Sequence, residues 1–171
     1  ATEIIEALGK GIGDIGISGK DLWRESEQSI QSNIALAKEY NFARSDLIVA
    51  VDSMWLDCVN PTDLEDISYE FYQKKKRLMR CATKFKNLAH AWFNSKGITQ
   101  YELITSLGAT EAANKLTADL IVDLSTTGET LRQNNLKVID TILSSSACLF
   151  YSKKSIKKKG LKKILKLLSK N

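Results

Sequence analysis

The chain has 171 residues, 43% hydrophobic and 26% charged, an ordinary globular make-up long enough for one good core or two small lobes. Its net charge of +5 resides in the last twenty or so residues: positions 152–171 hold nine lysines and no acid, while the remaining 16 basic residues face 20 acidic ones, a net of −4. A mildly acidic body with a basic tail argues against nucleic-acid binding, and no apolar run approaches membrane-spanning length.

In chain order, Ile4, Ile5 and Leu8 share one helical face over residues 3–8, and Gly9 and Gly11 stop that helix. Residues 14–17 predict a short strand, closed by a turn at Gly19. Apolar runs at 34–37 and 47–51 predict two more strands. Pro61-Thr62-Asp63-Leu64-Glu65 predicts a helix start, with Thr62 as cap and Glu65 three residues on. Leu64, Ile67 and Phe71 form its apolar stripe. Lys74-Lys75-Lys76-Arg77 closes it in accord with the helix dipole, a solvated helix end rather than a phosphate site.

Residues 78–82 predict a strand, and 84–95 an amphipathic helix with Phe85, Leu88, Trp92 and Phe93 inward and Gly97 as its stop. His90 is the only histidine, with no ligand-spaced cysteine or acid beside it. It reads as a packed or surface side chain, not as a metal ligand or triad member. A strand at 98–104, a short helix at 110–116 and a strand at 120–124 follow. Two further strands, 138–143 and 147–151, are separated by Ser144-Ser145-Ser146. Strands alternating with helices give an α/β class with largely parallel sheets. Cys58, Cys81 and Cys148 are far apart and form no C-x-x-C pair, the usage of reduced core cysteines in a cytosolic protein. No signal peptide is visible. In the tail, Leu161, Ile164, Leu165 and Leu168 recur at helical spacing. They suit a last helix that docks its leucines on the body, or a basic amphipathic surface for an acidic partner or membrane.

The stretch that carries chemistry is 118–136. A buried strand, Leu120-Ile121-Val122, ends in Asp123; a small-polar turn, Ser125-Thr126-Thr127-Gly128, follows, and then a helix start at Glu129-Thr130. Such a turn can aim several backbone amides and the hydroxyls of Thr126, Thr127 and Thr130 at one phosphate. Asp123 is placed to accept from sugar hydroxyls or to hold Mg²⁺ through water. An ordinary strand–turn–helix corner with capping threonines fits the same pattern.

Asp-x-x-x-Thr-Gly-x-Thr-Leu after a strand resembles the phosphoribosyl-pyrophosphate loop of the ATP phosphoribosyltransferase family. Collinear segments agree: Gly16-Ile17-Ser18-Gly19-Lys20-Asp21, Asp46 to Val51 with Trp55, Arg80-Cys81-Ala82-Thr83-Lys84-Phe85, and Ser106 to Ala113. The resemblance runs from about Ala7 to Lys153. It implies a two-lobed fold like type II periplasmic binding proteins, with residues 1–76 and 141–171 as first lobe, 77–140 as second, and ligands between them. The implied reaction is transfer of phosphoribosyl from phosphoribosyl pyrophosphate to N1 of ATP, the first step of histidine biosynthesis, with Mg²⁺ on the pyrophosphate. The protein then supplies positioning and electrostatics, with no catalytic acid, base or nucleophile assigned.

The resemblance assigns Asp123, Ser125, Thr126, Thr127, Gly128, Thr130 and Glu111 to phosphoribosyl pyrophosphate. Ser18, Gly19, Asp21 and Lys84 fall to ATP and the cleft. The family's first strand–helix–strand unit has no match, so the chain reads as N-terminally incomplete and a nucleotide- or sugar-phosphate-binding module is the alternative. With no C-terminal regulatory domain it resembles the short form, an oligomer in the cytoplasm working with a histidyl-tRNA-synthetase-like regulatory subunit. The chain departs from the family at Asp52, Asn114 and Thr117, where proline, proline and glycine are usual. The segment holding the latter two is about one residue short, which shifts Glu111 relative to Asp123.

Overall fold

A computed structural model describes residues 1–106 and 118–169, and the chain divides into two compact units. The first is Ala1–Arg44 with Ser145–Asn171, the second Ser45–Ser144. The first unit opens with α1 (Thr2–Lys10), β1 (Ile15–Gly19), α2 (Lys20–Glu25), α3 (Gln28–Gln31) and β2 (Ile34–Glu39). The second holds β3 (Ser45–Asp52), α4 (Pro61–Lys75), β4 (Met79–Thr83), α5 (Lys86–Ser95), β5 (Tyr101–Thr105), β6 (Leu120–Ser125), α6 (Glu129–Gln133) and β7 (Leu136–Ser145). The chain then returns to the first unit as β8 (Ala147–Ser152), a 3₁₀ turn and α7 (Leu161–Leu168).

In the first unit β8 lies between β1 and β2 and is antiparallel to both. Ile5 and Leu8, three apart on α1, close over Ile34, Cys148 and Phe150, with Leu22, Trp23 and Ile30 around them. In the second unit the strand order is β5-β4-β6-β3-β7. Here β4 is parallel to both β5 and β6, whereas β3 is antiparallel to β6. The α/β class holds, with mixed sheets around a parallel core. Leu47 to Val51 of β3 are buried without a break, the signature of a strand covered on both faces.

The boundaries differ from those expected at 76/77 and 140/141. Strand β3 bonds along β6 from Asp46 opposite Ser125 to Val51 opposite Leu120, so it belongs to the sheet that carries β6, and the crossings fall at 44/45 and 144/145. Helix α4 is capped by Asn60 rather than Thr62. The Asn60 side chain accepts from the Thr62 and Asp63 amides at 2.8 and 3.1 Å, and the Asp63 carboxylate accepts from the Asn60 amide at 3.0 Å. That box leaves Pro61 at the first helical position, where its missing N–H costs nothing. Leu64 and Phe71 are buried as expected, but Ser68 joins them and Ile67 is half-exposed. On α5, Ala89 takes the inward place expected of Leu88.

All three cysteines are free and buried, and burial pushes the Cys58 thiol up to about 11. Helix α7 buries Leu161 only; Ile164, Leu167 and Leu168 are exposed. Leu161 anchors its start, and its end is held where Lys38 Nζ and Tyr40 OH donate to the Ser169 and Leu168 carbonyls at 2.9 and 3.1 Å. The helix expected at 110–116 lies outside the described residues.

Just before β6, Asp119 gathers four donors. Arg77 grips it with Nη1 and Nη2 at 2.7 and 3.0 Å, the Arg80 amide donates at 2.8 Å and Arg80 Nε at 3.5 Å. This knot ties the starts of the parallel strands β4 and β6. Burial alone would raise the Asp119 carboxyl, but the Arg77 bonds, the Arg80 amide and the two guanidinium charges outweigh it and hold it below its ordinary value. A group lowered in this way adds stability above its unfolded value, near 4, and loses it as pH falls through the folded value. Asp119→Ala is expected to cost about 2–3 kcal/mol at pH 7 in urea melts, less than a fully buried pair because Arg77 is partly solvated. The gap to the native chain should narrow as pH drops below about 4.

Candidate functional site

Because β4 and β6 are parallel neighbours, the segments leaving their carboxyl ends emerge side by side, the place where α/β sheets bind ligands. After β4, buried Thr83 accepts the Phe85 amide on its Oγ1 at 2.9 Å. That tight turn leaves Lys84 exposed, with its ammonium 3.5 Å from Asp123 Oδ1. The Leu124 amide also donates to Asp123 Oδ1, at 2.8 Å. Both contacts fall on one oxygen, and Oδ2 accepts none among the described residues. The side chain itself is only 7% exposed. A carboxylate with one oxygen fixed and the other uncommitted is a positioned acceptor.

The bend after Asp123 is held from within. Ser125 Oγ accepts from the Gly128 amide at 3.1 Å, and Thr127 Oγ1 from the Glu129 amide at 3.3 Å. Two amides of the expected cradle are therefore already satisfied. Those of Thr126 and Thr127 take no partner among the described residues, and both residues are exposed. Gly128 turns the chain into α6 with φ +70°, a conformation that L side chains rarely adopt. Thr130 is exposed on the first turn of α6, and Leu131 pins that turn into the core beside Ile48, Ala82 and Ile121. The arrangement offers amides and hydroxyls to an anion, a carboxylate to hydroxyl groups, and one ammonium beside that carboxylate. Among the described residues, no cluster of three or more His, Cys, Asp or Glu could hold a metal ion.

The other expected residues lie elsewhere. Ser18, Gly19 and Asp21 belong to the first unit. Ser18 is buried with its hydroxyl donating to the Ala1 carbonyl at 3.3 Å. Asp21 is buried too; its Oδ1 accepts from Ser145 Oγ at 2.6 Å, while the Asp21 amide donates to that same hydroxyl at 3.0 Å. A Cβ on Gly19 would stand 2.3 Å from this carboxylate, so glycine is what permits its close approach. Ser18 Oγ and Asp21 Oδ1 are thus each engaged within the first unit. Glu111 lies outside the described residues. His90 is exposed and bonded to Tyr101 OH at 2.6 Å, in keeping with a surface side chain. The Asp119 knot and Arg132, which folds back toward Gly128, were not singled out from the sequence. Helical spacing alone, Gly128 to Arg132 at i, i+4, is the signal that could have found the second.

A family model described as ATP phosphoribosyltransferase matches residues 1–170. The ATP phosphoribosyltransferase of Mesorhizobium japonicum is 43% identical over 159 residues, which is 91% of this chain and 68% of that protein. Among solved structures, the ATP phosphoribosyl transferase (HisG:HisZ) complex from Thermotoga maritima superposes with a TM-score of 0.73 at 24% identity, covering 98% of this chain and 72% of that one. The arginine-, lysine-, histidine-binding protein ArtJ of Geobacillus stearothermophilus gives 0.55 at 14%, covering 96% and 68%; it shares the fold.

A Cβ added at Gly128 would meet nothing closer than Arg132 Nη1 at 3.6 Å, so room is available and only backbone conformation opposes it. Gly128→Ala is therefore expected to lower stability by about 1–2 kcal/mol, and Gly128→Asn by less, since asparagine tolerates this region better. Chemical denaturation of the three proteins checks the order.

Proposed function

The chain belongs to the ATP phosphoribosyltransferase family, and from that premise we propose that residues 123–130 seat the ribose and 5-phosphate of phosphoribosyl pyrophosphate. The reaction is a glycosyl-type transfer: the phosphoribosyl group passes to N1 of ATP with loss of pyrophosphate, the first step of histidine biosynthesis. The observation that carries the site is the pairing of the uncommitted Asp123 Oδ2 with the unpartnered Thr126 and Thr127 amides, all at the carboxyl end of β6.

The bond to pyrophosphate breaks at C1 of the ribose as N1 of ATP approaches from the opposite face. Positive charge builds on the ring, so the protein's task is to hold the two reactants in line and to place fixed charges. The amides of Thr126 and Thr127 and the hydroxyls of Thr126 and Thr130 hold the 5-phosphate at one end, on a loop that Ser125 and Thr127 keep in shape. Asp123 accepts from the ribose hydroxyls, and its negative charge lies near the developing cation. Lys84 shares Asp123 in the free protein and turns to a phosphoryl oxygen when substrate arrives. Glu111 is a second acceptor for the ribose, and Ser18, Gly19 and Asp21 form the part of the first unit that meets ATP. Mg²⁺ bound with the pyrophosphate would offset the charge of the leaving group and needs only one or two protein carboxylates beside phosphate oxygens and water; Asp123, through water, would supply one.

The Thermotoga maritima protein was solved as a HisG:HisZ complex, and we infer that this chain likewise works in the cytoplasm as an oligomer with a histidyl-tRNA-synthetase-like regulatory subunit. Supporting a partner, α7 leaves Ile164, Leu167 and Leu168 in solvent between lysines. Among the described residues no helix is long and apolar enough to cross a membrane.

Pyrophosphate release from ATP and phosphoribosyl pyrophosphate tests the site. Asp123→Asn and Thr130→Val are each expected to lower kcat/KM for phosphoribosyl pyrophosphate by roughly tenfold or more, with the KM for ATP little changed. Unchanged values for both variants would remove the bend from the reaction. Binding of both substrates by the native chain with no pyrophosphate released would identify a binding module instead.

A further inference from the structure

Beside the bend sits a cation that neither motif nor resemblance brought forward. Arg132 lies one helical turn after Gly128, its amide donating to the Gly128 carbonyl at 3.1 Å. Side chains on a helix lean toward its N-terminus, so an arginine at this station reaches back over the turn that opens the helix. Arg132 makes that reach: its Nη1 lies 3.6 Å from where a Cβ on Gly128 would be.

Other basic groups of this unit near an acid are already engaged. Arg77 and Arg80 are held by Asp119, and Lys84 lies against Asp123. Arg132 is exposed and has no acidic partner among the described residues, Glu129 included. Fixing a flexible arginine at the bend costs rotamer entropy, and a doubly charged phosphate bound there would repay it. The guanidinium fork matches two phosphate oxygens at once, a geometry that the Lys84 ammonium cannot offer.

The geometry points to Arg132 as a further substrate-contacting residue, one that grips the terminal 5-phosphate and makes the site select phosphorylated over unphosphorylated ribose. This rests on the reading of the bend as the phosphate seat. The two basic groups then divide the ligand: Arg132 at the phosphomonoester end, Lys84 beside the ring and the leaving group.

The test is calorimetric binding of ribose 5-phosphate, and of ribose as control, to the native full chain and to Arg132→Gln, Arg132→Lys and Thr130→Val. Ribose 5-phosphate affinity is expected to fall roughly tenfold in Arg132→Gln and less in Arg132→Lys, which keeps the charge but loses the fork. The loss should shrink as salt is raised from 0.05 to about 0.5 M, because an exposed pair is screened. Ribose binding should not move. If Thr130→Val weakens ribose 5-phosphate and neither Arg132 variant does, the role of Arg132 is overturned while the seat stands. If none of the three variants changes it, the seat itself is wrong and Arg132 falls with it. Equal losses for ribose and ribose 5-phosphate in Arg132→Gln would assign the residue to the fold and overturn the proposal too.

Discussion

Two aspartates at the two ends of β6 organise the second unit. Asp119, before the strand, is surrounded by two guanidinium groups and an amide, and fastens β6 to β4. Asp123, near its far end, has one oxygen held by the Leu124 amide and Lys84 and the other left open. The same residue type thus has two roles, set by how completely its hydrogen-bonding capacity is filled. A satisfied buried carboxylate stiffens the fold, and a half-satisfied one is available to a ligand. The first makes the second possible, since the register of parallel β4 against β6 is what brings Lys84 and the bend to the same edge.

The bend itself is a compromise between order and availability. Ser125 and Thr127 turn their hydroxyls inward to the Gly128 and Glu129 amides, which keeps the loop in shape without a ligand. Preorganisation of this kind lowers the ordering cost at binding, and leaves the Thr126 and Thr127 amides to do the binding. Leu131 supplies the remaining constraint by seating α6 in the core.

Much of this was legible in the sequence, for reasons that differ by residue. The strand–turn–helix at 120–130 announced itself because an apolar run, a glycine and small hydroxyl residues each have a local physical meaning. The identity of the sheet to which β3 belongs did not, since Leu47 to Val51 are apolar whichever partner they pair with. Pairing is a non-local fact, and it moved the unit boundary by some thirty residues from the expected one. The cap of α4 was misplaced by two residues because Asn60 and Thr62 are both competent caps, and the proline position decides between them. Ser18 and Asp21 looked like ligand contacts by motif. Only the return of β8 to the first unit, carrying Ser145 just before it, shows the bond that holds Asp21 Oδ1 there. The leucines of α7 carried the right period for docking, yet three apolar positions face water, which periodicity cannot foresee.

The central claim is that free amides at Thr126 and Thr127 receive a phosphate. Amide-resolved NMR during titration with ribose 5-phosphate tests it most directly. The account predicts large downfield shifts confined to Thr126, Thr127 and their neighbours through Thr130, saturating with the calorimetric affinity. Shifts centred on another part of the chain, with these amides unmoved at saturation, would contradict it.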